Sequence, residues 1–126
     1  MQKIIVSTEN APAAIGPYSQ AVEVNGLLFL SGMLPIDPVT GDLVGGGVRE
    51  QTRQIFSNIA AVLAAAGLGN EQIVKTTVFL QDMSLFAEMN EVYAEQFNGS
   101  YPARSAFAAK ALPKNALVEI EVIAVR

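Results

Sequence analysis

The sequence predicts an α+β fold, a single mixed β-sheet with two helices packed on one face, in the order β-β-β-α-β-α-β-β. Three observations carry this expectation. Two segments have apolar residues at helical spacing, while the other apolar segments are short, β-branched and bounded by turn residues. Those strands are also apolar on both faces, although two helices can cover only one face of a sheet. The uncovered face is therefore expected to be buried by oligomerisation.

The elements follow in chain order. The N-terminal stretch Met1 to Ser7 carries one positive charge and three consecutive apolar residues, too few for the core of a signal peptide. Ala21-Val22-Glu23-Val24 and Leu27-Leu28-Phe29-Leu30-Ser31-Gly32 flank Asn25-Gly26, which supplies the two positive φ angles of a tight hairpin turn. Pro35 to Gly47, with Asp-Pro, Thr-Gly and three successive glycines, reads as loop. From Val48 the spacing turns helical: Val48, Thr52, Ile55, Ile59, Val62/Leu63 and Ala66 share a face, and Gly67 is placed to end the helix. Ile73 to Leu80 is a strand by its β-branched content. Asp82 or Ser84 can cap a second helix whose stripe is Leu85/Phe86, Met89, Val92/Tyr93 and Phe97. Two strands close the chain, Ser105 to about Ala109 and Leu117 to Val125, separated by a turn at Pro113-Lys114-Asn115. By alternation, Leu28, Leu30, Val74, Val78, Ile120, Val122 and Ala124 should face one side of the sheet, and Leu27, Phe29, Ile73, Phe79, Ile123 and Val125 the other.

At 126 residues the chain reads as one domain, residues 1–126. With 51% hydrophobic and 16% charged residues, and a mean hydropathy of +0.34, it is greasy for its size, which again points to subunit contacts. Its longest apolar run, Ile59 to Ala66, is far too short to span a membrane, and a cytoplasmic location is the expectation. The net charge of −4 and the scattered basic residues argue against nucleic acid, which calls for a concentrated positive stripe. With no His and no Cys, the usual imidazole base, the thiol nucleophile and the common zinc-ligand sets are missing.

The remaining chemistry rests on carboxylates, Tyr, Lys, Arg and Ser. Arg104, in Tyr101-Pro102-Ala103-Arg104-Ser105, lies in a mostly apolar third of the chain, fifteen residues before Glu119. A guanidinium stays charged inside a protein, and burying a charge is costly unless something pairs with it. Glu119 and Glu121 point to the same side of the last strand. From the residues alone two readings stand: Arg104 forms a structural ion pair with one of these glutamates, or it binds a substrate carboxylate through its two-pronged fork while Glu119 acts on a water. Tyr18 reads first as a half-buried packing residue, and Ser31-Gly32 either as a bulge or as a place of close backbone approach. Lys75 reads as a strand lysine reaching solvent or a carboxylate rather than as a Schiff-base lysine. Gly45 to Gly47 lack the Lys-Ser/Thr of a phosphate loop.

Ala11 to Gln20, Ser31-Gly32, Val74 to Phe79, Phe86 to Tyr93, Pro102-Ala103-Arg104-Ser105, Leu112-Pro113-Lys114 and Val118 to Glu121 together resemble the reactive intermediate deaminase family, RidA (also called YjgF), nearly end to end. The resemblance implies a chorismate-mutase-like trimer fold, with homotrimers holding three sites in the clefts between subunits. It implies hydrolysis of 2-imino acids such as 2-iminobutanoate and 2-iminopropanoate to 2-oxo acids and ammonia, without metal or cofactor. Carried over by motif, Arg104 matches the arginine that grips the substrate carboxylate and Glu119 the glutamate that activates water. Tyr18, Ser31 and Gly32 match cleft-lining positions, and the backbone at Ala106 a substrate contact; Asn90 lies in a similar segment, and Glu121 shares the face of Glu119 outside the matched position. The family often has Cys where this chain has Ala106, and Gln where it has Met33, a change that bears on cleft polarity. A non-catalytic regulatory trimer binding 2-oxo acids, or an endoribonuclease, are the alternatives.

Overall fold

The computed structural model describes residues 2–126, so Met1 of the expected domain lies outside the described residues. Strands β1 (Ile4–Val6), β2 (Ala21–Val24) and β3 (Leu27–Leu30) precede helix α1 (Val48–Ala65). β4 (Ile73–Leu80), helix α2 (Phe86–Glu95), β5 (Ala103–Ala108) and β6 (Val118–Val125) complete the chain. This is the order the sequence predicts, with short 3₁₀ turns added at Asn70–Gln72, Met83–Leu85 and Pro113–Asn115. The six strands form one sheet, β1-β2-β3-β6-β4-β5. β4 and β5 are parallel, joined through α2, and the other pairs are antiparallel. The sheet is therefore mixed, as expected, and β5 is an edge strand.

Local chemistry explains the boundaries. Asn25 and Gly26 take φ of 53° and 78° in the hairpin. α1 ends where Gly67, at φ 76°, donates its N–H to the Ala64 carbonyl and Leu68 donates to Leu63, a Schellman closure that satisfies carbonyls otherwise left open. Asp82 caps the 3₁₀ turn at Met83–Leu85, accepting from the Ser84 N–H, and α2 begins one turn later without a side-chain cap. β5 starts at Ala103 rather than Ser105, so Arg104 lies within the sheet.

Ile55, Ile59 and Val62 of α1 are fully buried against the inner face of the sheet, where Leu28, Val78, Ile120 and Ala124 are likewise inaccessible. The alternation expected for β4 holds only after Val74. A register shift between Ile73 and Lys75 leaves Ile73 buried and Val74 exposed, because an extra residue resets which side of the pleat each side chain takes. Phe56 seals the gap between the helices, with edge-to-face contacts to Tyr93 and Phe97 at centroid distances of 5.6 and 5.8 Å. Phe56→Ala is expected to cost about 3–5 kcal/mol, the usual range for a large aromatic lost from a core, measured as a lower urea midpoint at unchanged slope.

Both helices cover one face of the sheet. On the other, Leu27, Phe29, Phe107 and Val125 are 38–48% exposed, and Phe79 meets Phe107 edge-on at 5.3 Å. Leu27, Phe29 and Val125 thus form one apolar group and Phe79 with Phe107 a second, with Lys75, Thr77, Glu119 and Glu121 between them on the same face, and exposed apolar groups rimmed by polar residues are what contact surfaces present. Among the described residues no helix is long and apolar enough to cross a membrane.

Candidate active site

Arg104 leaves β5 on the helix side of the sheet and lies along one face of α2. Its guanidinium carbon sits 4.7 Å from the centroid of the Tyr93 ring and 5.4 Å from that of Phe86, and Nη1 donates to Asn90 Oδ1 at 2.6 Å. Phe86, Asn90 and Tyr93 stand at i, i+4 and i+7, one above another on the helix. Aromatic faces attract the cation, and the amide fixes its roll. Tyr93 is anchored in turn by a 2.7 Å hydrogen bond between its hydroxyl and that of Thr76. Burial pushes the Tyr93 phenol above its ordinary range, against the opposing pull of Thr76 and Arg104. No carboxylate among the described residues pairs with Arg104, so most of the five N–H donors of its fork are open. They face a cavity of about 500 Å³ lined also by Ala94, Tyr101 and Pro102.

Glu119 stands on the opposite face of β6. Its neighbours Val118 and Ile120 point into the core, and it pairs across the sheet with Phe79. It borders a cavity of about 560 Å³ with Ala13, Ile15, Tyr18, Ser31, Gly32 and Lys114. Half-burial holds the Glu119 carboxyl above the ordinary carboxylate range, and the Glu121 charge on the same strand raises it further. The loop from Ala11 to Gln20 forms one wall. Buried Gln20 pins it, accepting from the Thr8 N–H and donating to the carbonyls of Thr8 and Pro12, while the Ser31 hydroxyl donates to the Ser19 carbonyl at 2.6 Å. Tyr18 is 53% exposed, an open aromatic rather than the packing residue its sequence context suggests. Lys114 and Asn115 hold left-handed φ of 57° and 58° at the other wall, which aims Lys114 at the cavity mouth. A further cavity of about 540 Å³ behind Tyr18 contains Glu9 but no basic residue.

The chain thus brings Tyr18, Ser31, Gly32 and Glu119 together and holds Arg104 apart. Arg104 is opposite Thr76 and Glu119 opposite Phe79, which puts their Cα atoms about 14 Å apart by strand spacing and rise, on opposite faces of the sheet. The ion pair between Arg104 and Glu119 or Glu121, open on sequence grounds, does not form within the chain; Asn90 takes its place. Ala106 shares the Arg104 side and is partly buried. Since the Ala109 N–H donates to Leu80 on β4, the alternating N–H and C=O of Ala106 face the free edge of β5. Met33 turns into the core at 5% exposure and lines, with Tyr18, Ser31 and Gly32, a small cavity of about 50 Å³ adjoining that of Glu119. Lys114 and the hub role of Gln20 escaped the sequence reading, although both lie inside the quoted motifs. Lys75 donates to the Thr76 carbonyl and to Ser105, in keeping with a structural lysine. Among the described residues no His, Cys, Asp or Glu cluster could hold a metal ion.

The model of a family described as Endoribonuclease L-PSP matches residues 8–126. A crystal structure of a Rid family protein from Yersinia pestis superposes with a TM-score of 0.96 at 52% identity, covering 99% of this chain and 100% of the other. The chain belongs to the RidA family. Among RidA relatives, the mouse 2-iminobutanoate/2-iminopropanoate deaminase is 50% identical over 122 residues, 97% of this chain and 90% of that one. Escherichia coli TdcF, whose crystal structure holds a bound serine, matches with a TM-score of 0.93 at 43% identity and covers 98% of both chains.

Proposed function

We propose that this protein is an enzyme that hydrolyses 2-imino acids, with 2-iminobutanoate and 2-iminopropanoate as substrates, to 2-oxo acids and ammonia. The site joins the Arg104 cavity of one chain to the Glu119 cavity of another in a cytoplasmic homotrimer. One observation supports this most: a cation with open donors and a carboxylate of raised proton affinity border separate open cavities on opposite faces of one sheet, beside exposed apolar groups and a free edge. The Arg104 cavity is lined by no carboxylate, and the Glu119 cavity has the flexible ammonium of Lys114 in place of a two-pronged guanidinium. In the joined cleft Arg104 grips the substrate carboxylate in two-pronged fashion, and the outward backbone of Ala106 contacts the substrate. Tyr18, Ser31 and Gly32 wall the reacting carbon. Glu119 takes a proton from water as the oxygen attacks C2 of the iminium and returns it to the nitrogen of the resulting carbinolamine; as the C–N bond breaks, Glu119 takes the remaining hydroxyl proton and passes it to the departing ammonia, which leaves as ammonium with the 2-oxo acid and the carboxylate restored. The iminium is already electrophilic, so positioning and proton transfer are the main demands on the protein. Close relatives named for this activity support the same reading.

The protein is expected to speed ammonia release when serine or threonine dehydratase generates the imine in situ. Co-refolding Arg104→Ala with Glu119→Gln, each strongly impaired alone, is expected to restore about a quarter of wild-type activity, the share of random head-to-tail interfaces carrying both intact residues. Failure of mixed oligomers to recover any activity sinks the two-chain site; wild type that leaves the imine's lifetime unchanged sinks the deaminase reading. The family description favours a second reading, RNA cleavage. The acidic net charge of −4 weighs against it, and ribonuclease activity that survives stringent repurification and is lost in Glu119→Gln would favour it. Binding of 2-oxobutanoate by a protein inactive in the coupled assay would favour a regulatory trimer.

A further inference from the structure

The Glu119 carboxylate is seated by the absence of a side chain. No hydrogen bond or ion pair from another described residue restrains it, yet it lies hard against the backbone of Gly32. A Cβ built there would overlap Oε2 and stand 3.0 Å from Cδ and 3.4 Å from Cγ of Glu119.

An irregularity in the sheet creates this approach. From the pair Phe29↔Ile123 to the bridge Met33↔Ile120, the first strand advances four residues and β6 three, so one extra residue is accommodated between them. Such a bulge bends its strand and re-aims side chains. Here it is pinned on both sides: the Ser31 N–H donates to the Gln20 carbonyl at 3.0 Å, and the Met33 N–H to the Ile120 carbonyl at 2.8 Å. Met33 is thereby turned into the core, and the bare backbone of Gly32 is left against Glu119. Gly32 is not among the positive-φ glycines, so the backbone itself would accept a side chain. The carboxylate is what excludes one.

We propose that Gly32 is a positioning residue: the bulge sets its vacant Cβ position as the steric seat that holds the Glu119 carboxylate in its working orientation. The effect on rate rests on the deaminase reading, whereas the seat is a property of the chain alone. Three other titratable groups share its surroundings, Glu121 on its own strand and Tyr18 and Lys114 at the same cavity, and Lys114 forms no ion pair with it.

A double-mutant cycle with a titration tests this. Gly32→Ala is expected to lower kcat about 10²-fold, the scale of a displacement near 1 Å, but to cost less than about threefold in the Glu119→Asp background, where the shorter side chain no longer meets the added methyl. Independently of turnover, carbon-13 NMR should find the Glu119 carboxyl of Gly32→Ala titrating closer to the ordinary carboxylate range, because the methyl drives it toward water. Folding of Gly32→Ala only in the Glu119→Asp background would support the same clash. Equal cost in both backgrounds, an unmoved titration, or unfolding in both backgrounds would overturn the proposal. An inactive wild type with a shifted titration would retain the seat and dismiss only the deaminase reading.

Discussion

Arg104→Ala is expected to cripple catalysed ammonia release in the dehydratase-coupled assay, with kcat/KM falling about 30- to 5,000-fold, the equivalent of the 2–5 kcal/mol typical for truncating one partner of a hydrogen-bonded charge pair. The guanidinium is pre-oriented by Tyr93, Phe86 and Asn90, so little freedom remains to be lost when a carboxylate docks. Arg104→Lys should recover only a small part of the rate, since an ammonium keeps the charge but loses both the flat stack and the fork. Asn90→Ala should fall between, as the charge survives and the roll of the plane does not. A thermal melt near wild type for each variant separates binding loss from unfolding. Equal rates for wild type and Arg104→Ala would remove Arg104 from the site.

Glu119→Gln keeps the shape of the side chain and removes its basicity. The expected result is a kcat about 10²–10⁴-fold lower, the usual contribution of a positioned acid–base group, with KM little changed because Arg104 still holds the substrate. The pH dependence follows from direction alone. Burial first, and then the charge of Glu121, favour the protonated form of Glu119, so kcat/KM should decline as pH falls through a value above the ordinary carboxylate range. Glu121→Gln removes the repulsion, lowers the proton affinity of Glu119 and should move that acid limb to lower pH. A limb that stays in place in Glu121→Gln, or a Glu119→Gln enzyme of normal kcat, would take the base role from Glu119.

How far these residues could be read from sequence depends on the range of the interactions that place them. Gly67 closes α1 and Asn25-Gly26 the hairpin, because φ preference and period are decided by near neighbours. Val74 escaped the alternation rule for a reason of the same kind in reverse: a bulge in β4 is set by its pairing with β6, and nothing local announces it. Asn90 interrupts an apolar helix stripe, a visible oddity, but only the approach of β5 makes it the partner of Arg104.

The sequence by itself determined the element order, the two-faced apolar strands and, through motif resemblance, the identity of Arg104, Glu119, Tyr18, Ser31, Gly32 and Ala106 as the residues to follow. Tertiary structure alone decided that Arg104 and Glu119 lie on opposite faces of one sheet, that Asn90 rather than a glutamate meets the guanidinium, and that Gly32 makes room for a carboxylate. The physical reason is that period and propensity act between residues a few positions apart, whereas strand order, register and bulges are settled by pairings across the whole chain.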